Sequence, residues 1–328
     1  MSKIIAITGS TGFVGRAVVE RLLESEDVQL RCLVREGSDT EHLKSFGARV
    51  TLVRGDVMEP GTLPLLVDGA WGVINLAGKR EFWSPRVQDF YDLNEHAAEN
   101  VFRAALDAHC EKVIQVSTPL AFGMPEQRPF DETSAPGPHP SDYARSKYLG
   151  DQIGWKLHRE RGLPLTVVHL AAVIGAGDPR PTMEIRRAVK GGLPALIGAD
   201  TTFTYLYLQD AAEGIVRALL RESTIGRAYL LGGERATTRE YFQMIADHAG
   251  GSVPNWNIPE AFILPIAQVM DRVSRWTGLR PPVPLDVIKT TAAGSLLFDT
   301  KRAEQELEIH YTPLRQALGE AVDEIRNA

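Results

Sequence analysis

The stretch that decides the fold lies near the N-terminus and reads Ile4-Ile5-Ala6-Ile7-Thr8-Gly9-Ser10-Thr11-Gly12-Phe13-Val14-Gly15. The four apolar residues predict a buried strand, and a helix is predicted from Gly12 onward. Gly9 permits a tight turn, Gly12 lets the backbone approach a ligand, and Gly15 allows the helix to pack closely on the strand. N–H groups at a helix N-terminus attract phosphate because the helix dipole is positive there. We therefore predict a dinucleotide site that includes Gly9, Thr11, Gly12, Phe13, Val14 and Gly15.

Outward from this turn, short apolar runs alternate with helical patterns through the first half of the chain. Strands are predicted at 4–7, 29–34, 50–53, 72–76, 112–116 and 165–169, and helices at 12–24, 39–45, 63–67, 87–109 and 143–161. Such alternation is typical of a parallel sheet with helices on both faces. Strands that are apolar throughout agree with this, because both faces of such a sheet are covered. The predicted fold class is α/β, a Rossmann doubly wound parallel sheet with a smaller C-terminal substrate-binding lobe.

The composition of the sequence changes after Gly175, where glycine and proline become frequent. We predict a nucleotide-binding domain at 1–175 and a mainly substrate-binding lobe at 176–328. A strand followed by a helix over about 200–222 indicates a return to the first lobe, so the boundary is discontinuous.

One segment of the smaller lobe has an apolar face at helical spacing. This face runs from Phe262 to Trp276 and includes Ile263, Ile266, Met270 and Val273. Packing in the core of the lobe is the favoured interpretation, and a lid, a dimer contact or a membrane-surface contact is the alternative.

Composition and charge exclude several classes of function. The net charge of the 328 residues is −6, so a nucleic-acid partner is not expected. The N-terminus lacks a signal-peptide pattern, and no run approaches the roughly 20 apolar residues of a membrane span. We expect a cytoplasmic protein with no integral membrane span. Cys32 and Cys110 lie in apolar runs, and we interpret them as buried hydrophobic residues rather than a disulfide.

Residues after three further strands bear on the choice of cofactor. Arg35 follows the second strand, where NAD-preferring proteins usually have an acidic residue. Its guanidinium suits a 2′-phosphate, so NADP(H) is preferred. NAD(H) is the alternative, because Glu36 and Asp39 add negative charge. Asp56 and Val57 follow the third strand, where a carboxylate can meet the adenine amino group, and the small residues Ala77 and Gly78 let a cofactor pass close to the fourth.

Tyr143 and Lys147 are four residues apart in a predicted helix and therefore share a face. A phenol is a poor base at neutral pH, but a neighbouring ammonium and a cationic nicotinamide favour its ionised form. We predict that Tyr143 gives a proton to a carbonyl oxygen in reduction and takes one in oxidation. Ser117 and Thr118 follow strand 112–116, at the sheet edge where ligands bind. One of the two hydroxyls is expected to polarise the substrate oxygen, and spacing does not choose between them.

Together these motifs resemble the extended short-chain dehydrogenase/reductase family, within the NAD-dependent epimerase/dehydratase superfamily. The chain is most similar to the branch of dihydroflavonol 4-reductase-like, 3β-hydroxysteroid dehydrogenase-like and hopanoid-associated sugar epimerase proteins. The residues that carry the resemblance are 8–15, 55–57, 75–78, Asn94, 116–118, 143–147, 207–210, 229–233 and 298–301.

The resemblance implies a role for each catalytic candidate. It implies that Tyr143 is the proton donor or acceptor, Lys147 its electrostatic partner and ribose ligand, and Thr118 the catalytic hydroxyl. Asn94 is implied to support the active site or the proton path. No metal is implied. The family often has Arg-Pro beside the nicotinamide, whereas this chain has Ala171 and Ala172; we expect backbone contacts from Ala171 and Val173 there.

The favoured function is reduction of a ketone or aldehyde, or oxidation of the alcohol, on a small and largely apolar substrate. Substrate contacts are expected from Phe82, Trp83, Ser117, Phe122, Met124 and Tyr205, most of which are apolar. A sugar-nucleotide epimerase or dehydratase is one alternative, for which Arg180, Arg186 and Arg187 are phosphate-binding candidates, although a solvent-facing helix is the simpler interpretation. A non-catalytic NADP(H)-binding regulator is another. A homodimer through helices 87–109 and 143–161 is left open.

Overall fold

The apolar runs of the first half pair with one another in a single parallel sheet. The computed structural model describes residues 2–177 and 195–327. Its strands, in chain order, are β1 (Lys3–Thr8), β2 (Val28–Val34), β3 (Val50–Arg54), β4 (Gly72–Asn75), β5 (Lys112–Ser117), β6 (Leu165–Leu170), β7 (Ala172–Ile174), β8 (Leu196–Ile197), β9 (Thr202–Tyr207), β10 (Arg227–Leu231), β11 (Arg235–Thr237) and β12 (Asn257–Ile258). Seven strands form the large sheet in the order β10-β6-β5-β4-β1-β2-β3. All its neighbouring pairs are parallel, so the carboxyl ends of the strands share one edge.

Helices cover both faces of this sheet. They are α1 (Phe13–Leu23), α2 (Glu41–Lys44), α3 (Leu63–Val67), α4 (Gln88–Tyr91), α5 (Ala97–Asp107), α6 (Asp142–Arg161), α7 (Leu208–Leu220), α8 (Thr238–Ala249), α9 (Glu260–Thr277), α10 (Leu285–Ala292), α11 (Lys301–Leu307) and α12 (Leu314–Asn327). One core cluster joins α1 and α7 to the sheet, and a second joins α3, α5 and α6 to it. The predicted doubly wound α/β fold is confirmed. Cys32 and Cys110 are buried and free, as expected.

The predicted return segment at about 200–222 divides between two environments. Its strand β9 pairs with β7 and β11 in a separate three-stranded sheet, whereas its helix α7 packs beside α1. Side chains explain the division: Tyr205 of β9 belongs to a third core cluster with Tyr241, while Ile215 of α7 belongs to the core of the large sheet. β10 then pairs with β6 at the edge of the large sheet. The boundary at residue 175 stays a prediction.

The apolar face of α9 does not pack in the core of the smaller lobe, so this sequence-based interpretation is wrong. Phe262, Ile266, Val273 and Trp276 are exposed. The buried face of the helix is formed instead by Ala267, Asp271 and Ser274, and the helix packs against α10. No helix in the described part of the chain has the length and apolar content that crossing a membrane requires.

Candidate active site

The turn between β1 and α1 depends on two close backbone approaches, at Gly9 and Gly15. Gly9 has a φ of +71°, and a Cβ atom there would lie 2.7 Å from the carbonyl carbon of Leu76. A Cβ atom on Gly15 would lie 2.2 Å from the Gly9 oxygen. Gly12 is the N-cap of α1, and no side chain caps the helix. The first N–H groups of α1 are therefore available to an anion, as a pyrophosphate requires.

Buried polar side chains link this turn to the neighbouring strands. Thr8 Oγ1 donates to Asn75 Oδ1 at 2.6 Å, and Asn75 Nδ2 donates to Gln115 Oε1 at 2.7 Å. The backbone N–H of Ala77 donates to Thr8 Oγ1 at 3.1 Å. These side chains meet because Thr8, Asn75 and Gln115 are aligned in register across β1, β4 and β5. The hydrogen bonds fix the strand ends around the glycine turn.

The other predicted cofactor residues follow strands at the same edge. Arg35 is exposed directly after β2. Among the described residues no acidic side chain forms an ion pair with the Arg35 guanidinium. The nearby acid Asp39 pairs with Arg16 instead, at 2.9 Å. Asp56 follows β3, and its Oδ1 accepts the N–H of Met58 at 2.9 Å, with Val57 buried beside it. The arrangement leaves Arg35 available to a phosphate.

The nicotinamide side of the predicted site lies where β4 and β6 end. Ala77 and Gly78 follow β4, Ala171 follows β6, and Val173 lies in β7. A Cβ atom on Gly78 would lie 2.8 Å from Asn94 Oδ1 and 4.0 Å from Lys147 Nζ. A side chain at position 78 would therefore collide with Asn94, and the backbone of Gly78 lies beside the side chains of Asn94 and Lys147.

Tyr143 and Lys147 occupy the first two turns of α6. Ser141 caps this helix by accepting the N–H of Ala144 at 3.2 Å, which fixes where the helix begins. The ring of Phe82 contacts the Tyr143 ring edge-on, with centroids 5.2 Å apart. Lys147 is buried, and its Nζ donates to the Val116 carbonyl at 2.8 Å. Burial lowers the pKa of Lys147, and the nearby Asp151 carboxylate opposes this.

Asn94 lies in a π-helical turn, Asp92–His96, between α4 and α5. Its Nδ2 donates to the Lys79 carbonyl at 3.1 Å and to Ser146 Oγ at 3.0 Å, and its Oδ1 accepts the Lys79 N–H at 2.8 Å. A Cβ atom on Gly150 would lie only 2.1 Å from the Asn94 carbonyl oxygen. Asn94 thus joins the loop after β4 to α6, and a glycine on α6 makes the close approach possible.

The structure separates the two candidate hydroxyls. Ser117 Oγ donates to Asp151 Oδ2 at 2.5 Å. Thr118 Oγ1 accepts the N–H of Leu120 at 3.4 Å, as the cap of the short turn Pro119–Phe122. The Ser117 proton is therefore committed to a carboxylate, whereas the Thr118 hydroxyl keeps its own proton available to a ligand.

Two residues of this region were missed as site residues in the sequence. Asp151 is buried, and burial raises the pKa of its carboxyl to about 6, although Lys147 and the Ser117 hydrogen bond favour the ionised form. Asp151 lies four residues after Lys147 on α6, and this spacing is a signal that could have found it. His169 Nδ1 lies 3.1 Å from the Thr118 carbonyl. Burial lowers the pKa of His169 to about 3, so its ring is neutral.

A cavity of about 460 Å³ lies on the β10 side of this cluster, lined by Asp151, His169, Phe122, Trp155 and Arg302 among others. Phe122 contacts the His169 ring at 5.0 Å and the Phe130 ring at 5.2 Å. The predicted substrate residue Phe122 therefore borders this cavity.

The remaining predicted substrate residues are dispersed. Tyr205 stacks on Tyr241 at 5.0 Å in the core of the smaller lobe. Trp83, the residue after Phe82, is buried. The backbone N–H of Met124 donates to the Pro138 carbonyl at 3.0 Å. Phe82, in contrast, contacts the Tyr143 ring. The phosphate-binding candidates Arg180, Arg186 and Arg187 lie outside the described residues.

The smaller lobe also contacts the start of α6. The Asp286 carboxylate of α10 lies close to the backbone N–H of Tyr143, which favours its ionised form. Burial nevertheless raises the pKa of Asp286 to about 6, although Lys289 also favours ionisation. A carboxylate at a helix N-terminus is stabilised by the dipole, so Asp286 links the smaller lobe to the turn that carries Tyr143. No sequence signal near Asp286 pointed to this contact.

The free energy of unfolding of the wild type is expected to fall as the pH rises from about 4 to about 6, and the fall is expected to be smaller in Asp151→Asn. The folded-state pKa of about 6 exceeds the ordinary 3.8. The folded protein therefore holds this proton more tightly, and its free energy of unfolding falls as pH rises through that window. Urea denaturation at pH 4, 5, 6 and 7 should show the wild type losing up to about 3 kcal/mol more than Asp151→Asn. The exposed Asp68 supplies the control Asp68→Asn, which should keep the wild-type slope. Equal slopes for wild type and Asp151→Asn would contradict the prediction.

Comparison with known proteins agrees with this geometry. The family model described as "NAD dependent epimerase/dehydratase family" matches residues 5–232. The chain belongs to this family. The resemblance to extended short-chain dehydrogenase/reductases is thereby confirmed, and the protein is an NAD(P)-dependent enzyme of that type.

Relatives within the family carry different names. A Synechocystis sp. protein that bears the name dihydroflavonol 4-reductase is 28% identical, over 100% of this chain and 96% of its own length. Sterol demethylase protein B of Methylococcus capsulatus is 26% identical, over 96% of both chains. The structure of a UDP-glucuronic acid 4-epimerase from Bacillus cereus, in complex with UDP-glucuronic acid and NAD, superposes with a TM-score of 0.78 at 21% identity and 99% coverage of both chains. That likeness establishes the shared fold.

Proposed function

We propose that this enzyme reduces a ketone or aldehyde on a small, largely apolar substrate with NADPH, or oxidises the corresponding alcohol with NADP⁺. The observation that carries the proposal is the arrangement at the start of α6. Tyr143 and the buried Lys147 lie one turn apart at the carboxyl edge of the sheet, where ligands of such sheets bind. The Phe82 ring contacts the phenol ring edge-on and contributes apolar surface to this part of the site.

The residues of the glycine turn fit a dinucleotide. The uncapped start of α1 would hold the pyrophosphate, Asp56 and Val57 would flank the adenine, and Lys147 would bind the nicotinamide ribose. Ala171 and Val173 would contact the nicotinamide through their backbone. When bound, the nicotinamide supplies or accepts the hydride.

Proton transfer falls to Tyr143. The Lys147 ammonium favours the ionised phenol electrostatically. Tyr143 Oη donates its proton to the substrate oxygen in reduction and accepts one in oxidation. Thr118 is the hydroxyl that hydrogen-bonds the substrate oxygen, since Ser117 is committed to Asp151. Asn94 holds the loop after β4 against α6 and so positions the site from one side.

The substrate class follows from the side chains around Tyr143. Phe82 contacts the Tyr143 ring and offers aromatic surface, which favours aromatic, alicyclic or acyl groups. The names of two relatives, which refer to a dihydroflavonol and a sterol, support the same class.

Turnover assays distinguish reduction from the alternatives. Purified enzyme is expected to consume NADPH with members of a panel of apolar ketones and aldehydes. Tightly bound NAD in the purified protein, together with interconversion of nucleotide sugars without net loss of NADPH, would establish an epimerase instead.

Cofactor preference is tested by Arg35→Asp. The variant removes a guanidinium suited to the 2′-phosphate and adds a repulsive carboxylate, so the NADPH/NADH ratio of kcat/KM is expected to fall by about 10- to 100-fold. Arg103→Asp makes the same change of charge at an exposed site on α5 and should leave the ratio within about twofold of wild type. A wild-type enzyme that uses NADH as well as NADPH, or an unchanged ratio in Arg35→Asp, would refute the NADP(H) preference.

A further inference from the structure

One surface of the smaller lobe is apolar along its whole length. On α9 the exposed large apolar side chains recur at alternating intervals of four and three residues, at Phe262, Ile266, Val269, Val273 and Trp276. This spacing places all five on one stripe of the helix. Trp276 is 88% exposed, and Trp256 and Leu279, which flank the helix in the sequence, are 78% and 71% exposed. We call these seven residues the α9 stripe.

The helix is held so that the α9 stripe faces outward. Ala267, Asp271 and Ser274 are buried on its opposite side, where α9 packs against α10. Arg275 donates to Asp271 at 2.7 Å and to the Ser84 carbonyl at 3.2 Å. The second bond ties α9 to the loop that carries Phe82. The stripe is therefore the outer face of an anchored helix.

The charges around the stripe are basic. Between Trp256 and Arg280 the ionic side chains are Glu260, Asp271, Arg272, Arg275 and Arg280. Asp271 is buried and paired with Arg275, and Arg272 and Arg280 are exposed basic side chains. The whole chain has a net charge of −6, so this segment, with three arginines and two acids, is opposite in sign to the molecule as a whole.

We propose that the α9 stripe docks on an anionic phospholipid bilayer, with α9 lying in the plane of the interface. An apolar stripe bordered by arginine is the pattern of an interfacial helix. Tryptophan is favoured at the boundary between headgroups and acyl chains, and arginine reaches from an apolar surface to the lipid phosphates. A second copy of the chain fits less well, because a symmetric contact would bring Arg272 and Arg280 of both copies to one interface.

Vesicle flotation with the full-length enzyme tests the proposal. The wild type is expected to float with vesicles of phosphatidylcholine and phosphatidylglycerol, and more weakly with phosphatidylcholine alone. Val269→Asp/Val273→Asp should lower the partition coefficient at least about tenfold, because it replaces two apolar contacts by charges that anionic lipid repels. Leu65→Asp/Leu220→Asp changes two exposed leucines outside the stripe and should bind as the wild type does.

Two further variants separate the apolar and electrostatic contributions. Arg272→Gln/Arg280→Gln keeps the stripe intact, and its affinity for anionic vesicles should fall by about fivefold per arginine at low salt. Wild-type tryptophan fluorescence should shift to shorter wavelength on vesicle binding, and Trp256→Phe/Trp276→Phe should abolish the shift while the protein still floats.

Three outcomes would overturn the proposal. The first is no flotation of the wild type with anionic vesicles. The second is equal flotation of Val269→Asp/Val273→Asp and Leu65→Asp/Leu220→Asp. The third is a wild-type dimer in sedimentation velocity that the Val269→Asp/Val273→Asp variant lacks, without vesicle binding, which would assign the stripe to a second copy of the chain. An unchanged Tm of each variant shows that the fold is intact.

Discussion

Tyr143→Phe is expected to lower kcat by about 100- to 10,000-fold, the range for loss of a general acid or base. The variant keeps the ring that contacts Phe82 and removes only the hydroxyl, so Tm and cofactor affinity should change little. Steady-state turnover, paired with cofactor titration by fluorescence, makes the measurement. Loss of kcat with unchanged cofactor binding places the effect on the chemical step.

The matched control for this prediction lies on the same helix. Tyr148 is partly buried on α6 and contacts the His139 ring at 4.7 Å. Tyr148→Phe should keep kcat within about twofold of the wild type, because Tyr148 lies next to Lys147 in the helix and does not share the helix face of Tyr143 and Lys147. If Tyr143→Phe were as active as Tyr148→Phe, the proposed proton transfer would be wrong. No turnover in the wild type itself, with any carbonyl or alcohol, would favour a regulator that binds NADP(H) without chemistry.

Gly150→Ala is expected to destabilise the protein and to impair the site together. Its Cβ would lie 2.1 Å from the backbone oxygen of Asn94, so α6 and the π-helical turn would have to separate. Overpacking of this kind costs about 1–3 kcal/mol. Displacement of Asn94 would also loosen its bonds to Lys79 and Ser146, and we expect kcat to fall by about tenfold or more. Urea denaturation and turnover of one preparation measure the two effects.

Gly154→Ala, one turn further along α6, is the control for this substitution. Its Cβ would meet side-chain atoms of Leu165 and Phe102 at 3.0 and 3.1 Å, which are able to move. Alanine also gains about 1 kcal/mol in helix propensity over glycine, so the net change should stay within about 1 kcal/mol. Equal destabilisation by both variants would show that the Gly150–Asn94 contact has no special role.

Local patterns were sufficient for β1 to β6 of the large sheet and for the placement of Tyr143 and Lys147, whereas the seventh strand of that sheet, β10, was not among the predicted strands. The apolar runs of β1–β6 are bounded by glycine and polar residues. The four-residue spacing of Tyr143 and Lys147 corresponds to about one helical turn and places both on one helix face. Both signals depend on near neighbours in sequence. The partnership of Ser117 with Asp151 could not be predicted in that way, because its partners are 34 residues apart and meet only when α6 packs on β5.

Helix α9 is a second feature that local sequence patterns predicted only in part. The sequence correctly marks a helix with two unlike faces, but hydrophobicity alone assigns the apolar face to the core. Here the face that packs is small and partly polar, with Asp271 held by Arg275, and the apolar face lies outside. Which face of an amphipathic helix is buried depends on the shape of its neighbour, and that information is spread over the whole smaller lobe.

The sequence by itself determined the strand, turn and helix that would receive a dinucleotide, because Gly9, Gly12 and Gly15 are required by backbone sterics within one short stretch. It also determined that Tyr143 and Lys147 share a helix face. Only the tertiary structure decided which hydroxyl donates a hydrogen bond to Asp151, that Asn94 packs against Gly150, and that the α9 stripe faces outward. These features depend on contacts between segments far apart in the chain, and such contacts exist only after the sheet and its helices have packed.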